Sequence, residues 1–122
     1  SIYVEVQQYY DLLTICSLNG ELKYNIYGEN WSSRGELTHH YYGKVIFCKD
    51  KIVASYAAGL RNTDENYPTK FLVFNKNGDY VQTIETGYRI SDYCYDKEND
   101  RIIMSLLDVI PFAYLDLSDI IK

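Results

Sequence analysis

One pattern occurs twice in this chain, and it limits the fold more than any other feature does. Residues 12–28 and 70–87 each read as an apolar run, Asn-Gly, an acidic residue, a second run with Ile six positions after the Gly, and a closing Gly. In the first segment these are Asn19, Gly20, Glu21, Ile26 and Gly28; in the second they are Asn77, Gly78, Asp79, Ile84 and Gly87. Asn-Gly between two β-rich runs is a strong hairpin signal, because both central residues of a type I′ turn need positive φ. Two hairpins with type I′ corners are therefore expected.

A second pair of segments repeats differently. Val45 to Cys48, Lys49-Asp50 and Lys51 to Tyr56 match Asp92 to Tyr95, Asp96 to Asp100 and Arg101 to Leu106. Each has a short aromatic strand, a charged turn, a basic residue and a longer apolar strand ending in Ser and a bulky residue. The two hairpin types alternate along the chain, which organises it as a repeat. One full set of four strands falls near 44–48, 51–58, 70–75 and 79–85. Three strands precede it, at 2–7, 10–17 and 21–27, and three follow it, at 91–95, 101–107 and 112–117. The predicted fold is all-β, with ten strands in antiparallel four-stranded blades of a partial β-propeller, whose blades run to about 45–50 residues. The expected single domain, 1–122, divides into a part blade over 1–28, a full blade over 44–87 and a part blade over 90–122. Helix signals are weak; the apolar tail from Leu117 to Ile121 is long enough for a final turn.

The run Phe71-Leu-Val-Phe-Asn-Lys-Asn-Gly-Asp-Tyr-Val-Gln-Thr-Ile84, the stretch from Ile90 to Asp108 and the ending Phe112 to Lys122 resemble the TolB-like and NHL-like six-bladed propellers of Bacteroidetes. The resemblance covers most of the chain from residue 44 onward and the first blade portion more loosely. It departs from the family in length, since a complete ring needs more than twice these residues. What it implies is a rigid platform for binding and a periplasmic or cell-envelope location. Two and a half blades leave sheet faces and edges uncovered, and open edges attract pairing. The expected partners are therefore a copy of the chain itself or the remaining blades of a longer chain.

Composition agrees with strands. Almost half of the 122 residues are apolar and fourteen are Tyr, side chains that pack well on pleated surfaces. Tyr80, Tyr93, Tyr95 and Tyr114 fall inside strand runs and are expected to fill seams between blades, hydroxyls at the rim. The alternative is a tyrosine face that binds carbohydrate or protein. The net charge of −5 and the absence of a basic stripe argue against nucleic acid as a partner. No apolar run approaches the roughly 18 residues of a membrane span. The sequence as given starts at Ser1 and shows no export signal, as a processed or excised chain also would. Cys16, Cys48 and Cys94 lie within apolar runs without metal-ligand spacing and read as buried thiols.

Two long connections, 28–43 and 59–69, emerge on one face of such a fold, and loops are where function gathers. They supply the candidate ligand-binding residues Trp31, Arg34, His39, His40, Arg61 and Asp64. No metal is expected: consecutive His39 and His40 point to opposite sides of an extended segment, and no third ligand follows. The acidic turn Asp96 to Asp100 lacks the Gly and distal Glu of a calcium loop, and Gly-rich phosphate loops and nucleophile elbows are missing. No cofactor and no catalytic residue is assigned. The expected function is a non-catalytic binding or scaffolding module with a protein or carbohydrate ligand. The rival is a propeller hydrolase or lyase that sets His39 or His40 beside Asp92 or Asp64 at the channel mouth.

Overall fold

A computed structural model describes residues 2–6, 12–27, 39–60, 67–118 and 120, without the side chains of 39–41 and 58–60. These residues form ten strands and no helix: β1 (Ile2–Val6), β2 (Leu12–Ser17), β3 (Leu22–Tyr27), β4 (His39–Cys48), β5 (Lys51–Leu60), β6 (Lys70–Asn75), β7 (Tyr80–Glu85), β8 (Ile90–Asp96), β9 (Arg101–Leu106) and β10 (Phe112–Asp116). All pairing is antiparallel between neighbours in sequence. The strands group into a three-stranded sheet β1-β2-β3, a four-stranded sheet β4-β5-β6-β7 and a three-stranded sheet β8-β9-β10.

The two repeated hairpins have the same corner. Gly20 N–H donates to Ser17 O at 3.0 Å and Ser17 N–H to Glu21 O at 2.9 Å; Gly78 to Asn75 and Asn75 to Asp79 repeat this at 2.9 and 2.8 Å. Only the glycines take positive φ, +91° in both, while Asn19 and Asn77 stay negative. The corner is therefore a type I turn followed by a left-handed Gly, a three-residue loop, and not the expected type I′. A bulge follows each, at Lys23 opposite Ile15/Cys16 and at Val81 opposite Val73/Phe74. Asn77 Oδ1 accepts the Asp79 N–H at 3.2 Å, a local bond that holds the turn.

Strict alternation divides the middle sheet into two apolar faces. Val53, Phe71, Val73 and Ile84 pack against Ile90, Tyr93, Ile102, Met104 and Leu106 of the third sheet. Ile52, Ala54, Tyr42 and Phe74 pack against Leu13 and Ile15 of the first. A sheet buried on both faces needs apolar residues at both parities, and β5 supplies them as the buried run Ile52-Val53-Ala54. Between sheets, backbones approach within 8 Å only where β4 meets β1 and β8, among the described strands. The sheets thus meet at their first strands and fan apart toward β3, β7 and β10.

Three expectations change. β4 begins at His39 and β5 continues to Leu60, so His39 and His40 lie on a strand, their backbones opposite Leu60 and Gly59. Register breaks between His40 and Tyr42 and between Tyr42 and Val45 let that ladder continue past an irregular stretch. Cys94 is exposed, unlike Cys16 and Cys48, because it alternates with the inward Tyr93 and Tyr95. Tyr93 is buried, but Tyr80 and Tyr114 are 61% and 60% exposed and do not fill seams.

Candidate functional site: a tyrosine-lined cleft

Fanning sheets leave a wedge. Between the edge strand β3 and the face of β5, β6 and β7 lies a cleft of about 570 Å³. Tyr42, Tyr56 and Phe74 form its inner part, Lys70 and Leu72 lie along β6, and Tyr27, Asn25 and Tyr80 stand toward its mouth. Each position follows from register: Phe74 faces Tyr80 across the β6–β7 pair, Lys70 faces Tyr56 across β5–β6, and Tyr42 faces Tyr56 across β4–β5. The rings touch edge to face, Tyr42 to Tyr56 at 4.9 Å and Phe74 to Tyr80 at 6.2 Å between centroids. Gly78 lets the β6–β7 corner approach β3, since a Cβ there meets Ile26 at 3.3 Å.

The chemistry of the cleft is aromatic with few polar groups. Lys70 is the charged side chain among the described residues lining it, with Nζ 5.7 Å from the Tyr56 ring centroid, a cation–π distance. Its cross-strand neighbour Glu85 is held elsewhere: Thr69 Oγ1 donates to one carboxylate oxygen at 3.0 Å and Gly87 N–H to the other at 2.9 Å. The Tyr80 hydroxyl lies 2.7 Å from Thr83 Oγ1 at the mouth.

One hydroxyl ties the third sheet to the middle one. Gly43 and Lys44 together face Ser55, a bulge of two residues against one. Tyr93 of β8 reaches this bulge, accepting the Ser55 N–H at 3.1 Å and donating to the Lys44 carbonyl. A Cβ at Gly43 overlaps Ser55 Oγ and comes within 3.0 Å of that hydroxyl, so the bulge needs glycine. Burial raises the Tyr93 pKa and keeps its proton in place. Lys44 meanwhile pairs with Asp92 at 2.9 Å and, with the Tyr93 N–H, holds that carboxyl below its usual value.

Trp31, Arg34, Arg61 and Asp64 lie outside the described residues, and His39 and His40 are placed only as backbone on β4. The sequence reading missed the cleft, whose walls come from two sheets that no short stretch of chain sets side by side. Among the described residues no group of three or more His, Cys, Asp or Glu is arranged to hold a metal, and no helix is long and apolar enough to cross a membrane. No protein-family model, curated protein or solved structure matches the chain.

Proposed function

We propose that this chain is a non-catalytic binding module built on part of a β-propeller, with the tyrosine cleft as its ligand site. The observation that carries the reading is a concave aromatic site whose two walls belong to different sheets. Small-molecule sites favour such seams, with apolar walls and few polar groups. Sheets that meet at their first strands and fan outward support the propeller part of the reading. The hydrolase or lyase alternative draws on His39 or His40 with Asp92 or Asp64, and Asp92 is already engaged by Lys44.

A screen of saccharides and short peptides against the full chain, observed through tyrosine ring signals in NMR, tests this. Hits are expected to shift the rings of Tyr27, Tyr56 and Tyr80, to survive unchanged on long incubation, and to be lost in Tyr80→Ala. A hit that is chemically converted overturns the non-catalytic reading; hits that map away from the cleft overturn the site.

A second reading has its own observation. β10 is the edge of a three-stranded sheet, and Phe112 and Tyr114 on it are 68% and 60% exposed. An open edge with exposed aromatic residues supports coverage by another sheet, from a second copy or from more of a longer chain. Sedimentation of this chain at rising concentration is expected to show association that Phe112→Asp weakens. A monomer at every concentration ends the second-copy version.

A further inference from the structure

We propose that the cleft between β3 and the β5–β7 face binds an acidic saccharide, with a uronate carboxylate on Lys70 Nζ and sugar rings against the tyrosines. The proposal rests on the binding-module reading and adds the ligand class. Charge comes first. The chain carries a net −5, yet among the described residues lining this cleft the charged one is a cation. The carboxylate best placed to neutralise it, Glu85 directly across the β6–β7 pair, is turned toward Thr69 and Gly87, accepting one bond on each oxygen. Among the described residues no carboxylate forms an ion pair with Lys70, so the site supplies positive charge to whatever enters it. A carboxylate accepting from an ammonium beside aromatic walls forms a charge-assisted bond, stronger than a neutral one.

The rings select the rest of the ligand. A pyranose has a flat face of C–H groups and an equatorial belt of hydroxyls. C–H groups, slightly positive, meet the negative π-face of a tyrosine ring, while phenol and carboxamide groups bond the belt. Tyr80, more than half exposed at the mouth, offers such a face; beside it stand Tyr27 and Asn25, joined by a bond from the Asn25 amide to the Tyr27 hydroxyl at 3.1 Å, with Asn25 Oδ1 accepting from Thr14. The volume of about 570 Å³ falls within the roughly 300–1,000 Å³ of small-molecule sites, which suits a short saccharide.

An extended peptide fits less well. Peptides that bind beside a strand add to its backbone ladder, and β3 reaches the cleft with its last three residues, Asn25 to Tyr27. Five of the ten described lining residues carry aromatic rings.

The test titrates the full chain with a short glucuronic-acid oligosaccharide, with its methyl-esterified neutral counterpart, and with a peptide ending in a free carboxylate. Tyrosine ring signals report the site. The acidic saccharide is expected to bind saturably, to weaken as salt rises, and to shift the rings of Tyr27, Tyr56 and Tyr80. Esterification and Lys70→Gln are each expected to weaken it about ten-fold, the scale of one charged hydrogen bond. Tyr80→Ala tests stacking without endangering the fold, since that ring lies largely outside the core. Equal binding of acid and ester, no effect of Lys70→Gln, or binding of the peptide alone overturns the acidic-saccharide assignment while the cleft remains a binding site. If no ring responds to these probes or to any member of the wider screen, the cleft reading fails together with the assignment.

Discussion

Tyr93 shows how much one side chain decides. Its ring packs edge to face on Phe71 at 5.0 Å, and its hydroxyl serves two backbone groups at the Gly43–Lys44 bulge. Replacing it by Phe keeps the ring and leaves the buried Ser55 N–H without this acceptor, so Tyr93→Phe is expected to cost about 1–3 kcal/mol. Urea denaturation of the two proteins measures it; equal midpoints with equal slopes refute the role. The sequence reading put Tyr93, Cys94 and Tyr95 in one strand but took Cys94 as buried, and the structure turns it outward. That Tyr93 is the buried one depends on a bulge in a strand 49 positions away, which no local pattern encodes.

At the level of elements, the repeated Asn-Gly segments located both hairpins, because the left-handed Gly is a local requirement. Their loop class was not legible: a two-residue I′ corner and a three-residue corner with a left-handed Gly share the same Asn-Gly signature. The charged turns behaved likewise. Lys49 and Asp100 take positive φ, 55° and 50°, at the β4–β5 and β8–β9 corners without a glycine to announce it. Strand starts were the weakest point. His39 to Gly43 reads as connection because Gly and paired polar residues interrupt the alternation. Its pairing with β5 across two register shifts makes it strand.

Over the whole molecule, the turn tips of the second and third sheets are tied by charge. Lys49 Nζ lies 3.1 Å from Asp100 Oδ2, and the Tyr95 hydroxyl donates to Asp100 Oδ1 at 2.7 Å. The Tyr95 bond first, and Lys49 after it, hold the Asp100 carboxyl below its usual value, while burial chiefly, with the Asp100 charge, pushes the nearby Cys48 thiol up to about 12. A carboxyl with a depressed folded pKa stabilises the fold above its unfolded pKa of about 3.9, and that contribution is lost as pH falls through the folded value. Asp100→Asn keeps a residue that tolerates the left-handed turn and removes the charge. The variant is expected to be less stable than the parent at neutral pH, by no more than about 1 kcal/mol because Lys49 is largely exposed. The difference is expected to close as pH drops below about 4. Denaturation midpoints across that range decide it, and a gap independent of pH refutes the tie.

The same scale separates what each level determined. Strand number and antiparallel pairing between neighbours were set by sequence alone, since apolar runs and turn residues act over a few positions. The fanning of the three sheets, the cleft it opens, and the isolation of Lys70 from Glu85 arose only in the tertiary structure. They depend on how far apart separately formed sheets come to rest and on which side chains meet between them, and distance across packed sheets has no signature in any short stretch of chain.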